Sequence, residues 1–322
     1  MITQMVARLT SRQQADVLEL VGAATRLDRV APLSEQVLLS VRDVSAGDGP
    51  EPAGSLHLLA YDGTHLAGYA HLDSRSADVE DGAATAEVVV DPHSRRAGVG
   101  TALVQALEDA RPARSAGGWT LRLWSHGDLE AARAFALLGG YSKVRELWQM
   151  RRCLGPDAEA LPAASLPEGF RARSFVVGRD EDAWLRVNAL AFADHPEQGR
   201  MTRHDLDQRI TQEWFDASGF ILVEDTRGPA PVLAASHWTK VAPPGSEVGE
   251  VYVVGVHPAY QGLGLGRAVT ALGLEHLHER GLSEAMLYVD ADNRAAIATY
   301  SRLDFARSAV DIMYSRIVSP PM

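Results

Sequence analysis

A single cysteine, Cys153, occurs in the 322 residues, so no disulfide can close within the chain and no cysteine-based metal site can form. Cysteine this sparse fits a reducing compartment, and a cytoplasmic location is expected. Cys153 has no neighbouring histidine in the sequence to activate it and reads as an ordinary thiol. Long apolar runs are missing as well: no stretch of about 18 apolar residues is present, so no membrane span is expected. Met1 to Arg12 mixes polar residues into every apolar run and lacks the hydrophobic core of a secretory signal. There is no excess of basic charge. With 31 Lys and Arg against 42 Asp and Glu, the net charge is -11, which is not the basic footprint of a nucleic-acid binder. His-Glu-x-x-His is absent, and His276 and His278 stand only two apart, on different faces of a helix. No metal is expected.

What the chain does contain is an internal repeat. Residues 84–107 read ATAEVVVDPHSRRAGVGTALVQAL, and residues 250–273 read EVYVVGVHPAYQGLGLGRAVTALG. The two align without gaps at an offset of 166 residues, about half the chain, placing Val88 on Val254, Val90 on Val256, Pro92 on Pro258, Gly98 on Gly264 and Gly100 on Gly266. A duplicated domain follows, with a first domain at 1–155, a Pro-rich linker at 156–167 and a second domain at 168–322. In each copy a β-branched run predicts a strand, Val88-Val89-Val90 or Val251 to Val256. A proline ends it, a glycine-rich turn follows, and apolar residues at helical spacing then predict a helix. Elsewhere His57 to Tyr61 and His65 to His71 predict a hairpin around Asp62-Gly63. Gly219 to Val223, Val232 to Trp238 and Ala285 to Val289 predict further strands, and Asn293 to Leu303 a helix. The expected fold class is α/β (α+β): two tandem copies of a mostly antiparallel mixed sheet flanked by helices.

The chemistry centres on Gln261-Gly262-Leu263-Gly264-Leu265-Gly266 and its counterpart Arg95-Arg96-Ala97-Gly98-Val99-Gly100. Both fit Q/R-x-x-G-x-G between strand and helix. Glycines there let the backbone turn tightly and approach a ligand, and the helix N-terminus presents amides to an anion such as a pyrophosphate. A dinucleotide fingerprint is excluded, because Arg267 occupies the position three after Gly264 that G-x-G-x-x-G reserves for glycine. No Gly-Lys-Ser/Thr follows, which excludes a P-loop.

Strand, proline, Q/R-x-x-G-x-G and helix together resemble the GNAT acetyltransferase superfamily. Residues 287–305, LYVDADNRAAIATYSRLDF, are similar to that family's later motif, with Asp304 where glycine is usual. Narrower features resemble the mycothiol synthase family, the mycothiol acetyltransferases. They are the Glu250-to-Val256 strand, the His195-Pro196-Glu197-Gln198-Gly199 segment, Pro32-Leu33-Ser34-Glu35 and His237-Trp238-Thr239-Lys240. The resemblance implies acetyl-CoA as co-substrate, a small-molecule amine (cysteinyl-glucosaminyl-inositol) as acceptor and mycothiol as product. A monomer is expected, and the charge balance and the lack of long apolar runs speak against a nucleic-acid or membrane partner. Acetyl-CoA would be held by Val254, Gly255, Val256, Gln261, Gly262, Leu263, Gly264, Leu265, Gly266, Arg267 and Asn293 in the second domain. In the first it would be held by Val88, Val89, Val90, Arg96, Ala97, Gly98, Val99, Gly100 and Thr101.

Acetyl transfer to an amine needs a neutral amine, a polarised thioester and a protonated leaving sulfur. Glu250 is the expected general base, and strand alternation places it on one face with Tyr252, Val254 and Val256. The resemblance makes Tyr300 the expected acid. In the first domain Ala84 stands at the gapless equivalent of Glu250, and Phe135 or Ala136 at that of Tyr300. The first domain is therefore expected to bind acetyl-CoA without catalysing transfer. Glu35, Glu197, Lys240, Glu250 and Tyr288 are acceptor-binding candidates by resemblance, and the composition alone reads most of them as ordinary surface residues. A GNAT enzyme for another amine, such as a protein N-terminus or an aminoglycoside, and a non-catalytic acetyl-CoA sensor remain as alternatives.

Overall fold

A computed structural model describes residues 2–42, 54–74, 83–110, 118–155, 158–193, 198–243 and 245–319. Two compact units make up the chain, residues 1–146 with 309–322 and residues 147–308. The division in space therefore differs from a cut at the linker. Strand β6 (Ser142–Cys153) begins in the first unit and continues in the second, and the last strand, β12 (Ala306–Val318), returns to the first. Residues 158–167, the described part of the expected linker, carry no helix or strand.

In the first unit, β1 (Ile2–Val6), β2 (Ser55–Asp62), β3 (His65–Asp73) and β4 (Ala83–Val90) pair antiparallel in that order. Strand β5 (Trp119–Ser125) then pairs parallel with β4, and β12 pairs antiparallel with β5. The expected hairpin closes on Asp62 opposite His65, with Gly63 at φ 61°. One sheet face is covered by α3 (Val99–Asp109), whose Leu103 and Leu107 pack on Ala70, Leu72, Ala84 and Ala86. The other carries α1 (Ser11–Asp28) and α2 (Glu35–Arg42), whose Val17, Leu20 and Val37 pack on Leu59, Tyr69 and Val89. Helix α1 starts where it does because Thr10 and Gln13 form a reciprocal capping box. Helix α4 (Glu130–Leu138) follows β5.

The second unit repeats the order. Strands β7 (Phe170–Ser174), β8 (Phe220–Asp225), β9 (Val232–Lys240) and β10 (Val248–Val256) pair antiparallel. Strand β11 (Glu284–Asp290) pairs parallel with β10, and β6 antiparallel with β11. Helices α5 (Glu181–Ala191) and α6 (Arg203–Ile210) cover one face through Trp184 and Leu206, which cluster with Phe220, Trp238 and Val253. Helix α7 (Leu265–Glu279) covers the other through Leu274 and Leu277, which cluster with Val251, Ala285 and Leu287. Helix α8 (Arg294–Ser301) is shorter than the expected 293–303: Asn293 lies outside it as N-cap, accepting the Ala296 amide, and at the other end Arg302 is already the C-cap. Among the described residues no helix is long and apolar enough to cross a membrane, and no group of three or more His, Cys, Asp or Glu could hold a metal ion.

Helix α7 approaches the sheet closely at Gly273, where an added Cβ would overlap the buried His237 ring. His237 is held there by a 2.9 Å bond from Nδ1 to the Val269 carbonyl, and burial lowers its pKa to about 4. Alanine would favour the helix by about 1 kcal/mol, but overpacking typically costs about 1–3 kcal/mol and here meets a fixed ring. Gly273→Ala is therefore expected to lower the urea midpoint, and the loss should largely disappear in a His237→Ala background. An unchanged or raised midpoint for the single variant would contradict the close approach.

Candidate active site

The two glycine-rich turns are the same structure built twice. Gly264 (φ 80°) precedes α7 and Gly98 (φ 82°) precedes α3, both left-handed. Two residues earlier, Gly262 adopts φ 79° and its counterpart Arg96 φ 63°. A Cβ built on Gly98, Gly262 or Gly264 would meet nothing within 4 Å, so each turn leaves open space above its backbone. The first amides of α3 and α7 stand at these helix ends and have no intrahelical partners. Open room, bare backbone and a positive helix end suit a pyrophosphate. Arg95 ties the first turn to the end of α1, with guanidinium bonds of 2.9 and 2.7 Å to Asp28.

Upstream of each turn the parallel strands part. Pairing between β10 and β11 covers only Val248–Glu250 against Glu284–Met286, and pairing between β4 and β5 ends at Glu87 opposite Trp124. Beyond those points Val254-Gly255-Val256 and Val88-Val89-Val90 offer a strand edge to a gap, where an extended ligand with amide groups can pair.

Glu250 sits at the last paired position, opposite Met286 on β11 and Lys240 on β9. A β-bulge at Tyr252 changes two expectations. Val251 faces Thr239 and Val253 faces Trp238, so Tyr252 is the extra residue. Glu250 and Tyr252 do share a face, the one under α5 and α6, but Val254 and Val256 turn to the α7 side, where they pack with Leu265 and Val269. Counting along the partner strands, the first-unit position matching Glu250 is then Thr85, opposite Asp73, not Ala84. Neither residue is a carboxylate.

The surroundings of Glu250 are cationic and aromatic. Lys240 Nζ lies 3.6 Å from Glu250 Oε2, and both side chains are largely buried. The same ammonium lies 5.1 Å from the Trp214 ring centroid and 4.9 Å from that of Tyr252. The Tyr252 hydroxyl accepts a 2.7 Å bond from Arg209 Nε. Tyr288, two residues past Met286 and so on the same face, is 44% exposed, and its hydroxyl accepts from Gln149 Nε2 at 3.2 Å. Three acceptor-binding candidates, Lys240, Glu250 and Tyr288, thus share one face. Glu197 lies outside the described residues. Trp214 carried no sequence signal beyond being an aromatic in a polar stretch.

Tyr300 stands on α8 and packs on the α7 side with Val254, Ala296 and Ile297. Its ring lies 5.8 Å from that of Phe305, and burial pushes the hydroxyl up to about 12. Glu250 and Tyr300 therefore approach from opposite faces of the sheet. The Phe305 amide bonds the Tyr300 carbonyl at 3.0 Å, as the Tyr141 amide bonds the Ala136 carbonyl at 2.9 Å. This fixes Ala136, not Phe135, as the first-unit equivalent of Tyr300. It also explains Asp304, which adopts φ 61° where Gly140 adopts φ 76°.

Sequence reasoning missed a buried network in the first unit. Glu87 Oε2 accepts the Ser34 amide at 2.6 Å and lies 3.5 Å from His126 Nε2, while His126 Nδ1 lies 3.0 Å from Asp311. Burial alone would lower the His126 pKa, but bonds to Asp311 and Glu87 outweigh it and push the value up to about 10. Glu87 is held below the usual carboxylate range, its burial outweighed by His126 and Ser34. The only hint in the sequence was one glutamate inside the apolar run ATAEVVV. Glu35 follows Ser34 as the first residue of α2.

Known proteins place these features in a family. A model of the acetyltransferase (GNAT) family matches residues 32–139 and 184–305. Mycothiol acetyltransferase from Thermomonospora curvata is 50% identical over 315 residues, which cover 97% of this chain and 96% of that protein. The Catenulispora acidiphila mycothiol acetyltransferase is 48% identical over 318 residues, covering 96% and 97%. In fold, a tandem GNAT protein from the clavulanic acid biosynthesis pathway superposes over the full length of both chains with a TM-score of 0.71 at 17% identity.

Proposed function

The chain belongs to the mycothiol acetyltransferases, a family of GNAT N-acetyltransferases, and we propose that it acetylates the cysteinyl amine of cysteinyl-glucosaminyl-inositol with acetyl-CoA, giving mycothiol and CoA. The observation that carries this reading is the coincidence, in the second unit alone, of an open left-handed turn, a carboxylate at the strand split and a tyrosine on the helix beyond it. The first unit has the turn and the split, but the carboxylate at its split, Glu87, is engaged by His126, while Thr85 stands at the ladder position of Glu250 and Ala136 at that of Tyr300.

In this reading Gln261 to Arg267 hold the pyrophosphate of acetyl-CoA, with Asn293 beside them. The free edge of Val254-Gly255-Val256 aligns the amide-bearing arm toward the gap. Glu250 takes the proton that the attacking amine must lose, directly or through a water. Tyr300 gives its O–H to the departing sulfur. Lys240 and Tyr288, on the face of Glu250, receive the polyhydroxylated acceptor. In the first unit, Val88 to Val90 and Arg96 to Thr101 hold a second acetyl-CoA that is not consumed. The reaction takes place in the cytoplasm.

The test is to incubate the protein with acetyl-CoA and cysteinyl-glucosaminyl-inositol. Free CoA thiol should appear in step with an N-acetylated product identified by mass spectrometry. No product from this acceptor, with turnover on an N-terminal peptide or an aminoglycoside, would reassign the acceptor. No thiol release with any amine would leave an acetyl-CoA-binding protein.

A further inference from the structure

We propose that Trp214 and Tyr252 are positioning residues that clamp the Lys240 ammonium against the Glu250 carboxylate, fixing the charge and orientation of the base; the inference rests on the assignment of Glu250 to that role. The 3.6 Å separation of Lys240 Nζ and Glu250 Oε2 is long for a hydrogen bond. Their attraction is therefore mainly Coulombic and depends on where the ammonium is held. A lysine on a flexible four-carbon stem is not held by its own backbone. Here two ring faces hold it, at 5.1 and 4.9 Å, both within the roughly 6 Å reach of a cation–π contact.

The rings are themselves fixed. Trp214 and Tyr252 meet at 67° with centroids 5.3 Å apart, making a corner that receives the cation. Both lean on the buried Trp238, at 5.8 and 5.2 Å, which stacks on Phe220 at 4.4 Å. The Tyr252 hydroxyl is tied to Arg209, whose Nη1 donates to the Asp205 carbonyl at 2.8 Å. Tyr252 stands two residues after Glu250 and reaches the same face by ordinary alternation, and the bulge that follows Val251 keeps Val253 on that side as well, beside Trp238. Among the described residues, Tyr288 and Asp290 on β11 and the Arg151–Glu284 pair at 2.8 Å also stand on this face of the sheet, and the covering helix α6 adds Asp205.

A cation within about 4–6 Å favours the ionised form of a carboxylate, and a largely buried carboxylate would otherwise take up a proton more readily. Loosening the clamp should therefore raise the titration midpoint of Glu250. The experiment labels the protein with 13C-carboxyl glutamate and follows the Glu250 signal, identified by its loss in Glu250→Gln. In Trp214→Leu the midpoint should rise by about half a unit to one unit, roughly a three- to tenfold gain in proton affinity. Trp214→Phe, which keeps a ring, should stay nearer to wild type. Tyr252→Leu should behave like Trp214→Leu, Tyr252→Phe like wild type, and Lys240→Met should set the largest rise. The acid limb of kcat/KM should move in parallel with these midpoints. A wild-type midpoint in folded Trp214→Leu and Tyr252→Leu overturns the clamp. If either fails to fold, a wild-type midpoint in Lys240→Met overturns it. An acid limb that persists in Glu250→Gln would instead remove Glu250 from the role of base, while the midpoints still decide on the clamp.

Discussion

Tyr300→Phe is expected to lower kcat by about 100- to 1,000-fold, the usual cost of removing one donor from a site of developing negative charge. Acetyl-CoA affinity should change little, since the Gln261–Arg267 turn is untouched. Burial pushes the phenol up to about 12, so it stays protonated throughout the neutral range, as an acid must. The same shift makes it a weak acid. A thiol ionises near 8.5, so full transfer of the proton to a free thiolate runs uphill by about three units, or about 4–5 kcal/mol. As the proposed acid, Tyr300 would therefore act chiefly by donating a hydrogen bond that strengthens as charge builds on sulfur, which lowers the barrier without tightening ground-state binding. The wild-type rate, followed as thiol release from pH 6 to 10, should show no descending limb from this group. A Phe variant at wild-type rate would remove Tyr300 from the chemistry. A wild-type descending limb near pH 9 that vanishes in the variant would show that the phenol ionises earlier than its burial implies.

The features legible in the sequence were those that rest on local grammar. The strand–proline–glycine turn–helix unit is short, and its residues have no equivalent substitutes, so it reads the same twice at a fixed offset of 166 residues. The bulge at Tyr252 escaped because a gapless alignment has no way to show an extra residue in one ladder. Only the pairing with β9 reveals it, and it moved both the face of Val254 and the counterpart of Glu250. The return of β12 to the first unit escaped for a related reason: strand order is a matter of non-local pairing, and Ile312–Val318 carries nothing that names Trp119–Ser125 as its neighbour.

Side-chain roles divided in the same way. Tyr300 and Glu250 could be picked out because they sit inside recognisable motifs. Trp214 could not, because its partner Lys240 is distant in sequence and the contact is made by folding β9 and β10 under α6. Glu87 could not either. It forms a closed set of charges with His126 and Asp311, a residue contributed by the returning strand. That network sits where the β4–β5 pairing ends, the place that corresponds to the split beside Glu250 in the second unit. Duplication has left two similar gaps, with the carboxylate of one engaged by its own histidine and that of the other by a lysine.

Glu250→Gln keeps shape and hydrogen bonding but removes the proposed base, and its effect should depend on pH in a way that Tyr300→Phe does not. General acid–base groups typically contribute about 100- to 10,000-fold. An α-amino group ionises near 8, so at pH 7 roughly a tenth of the acceptor is already neutral and needs no base. The loss in kcat/KM should therefore be about 100-fold or more near pH 6.5 and shrink steadily as pH rises toward 9, where most of the amine is neutral without help. Removing the carboxylate also takes away the negative charge 3.6 Å from the Lys240 ammonium, on the face proposed to receive an amine that must not carry a charge when it attacks. That repulsion favours the neutral amine and works in the same direction as rising pH. Placing a carboxylate at the matching ladder position of the first unit, Thr85→Glu in the Glu250→Gln background, should restore nothing, because Ala136 stands where the acid would be. The decisive measurement is the pH profile of kcat/KM from 6 to 9.5 for wild type and variant. Superimposable profiles at equal rates would place the base elsewhere in the chain. A large loss constant across the whole range would mean that Glu250 binds the acceptor and leaves its proton to solvent.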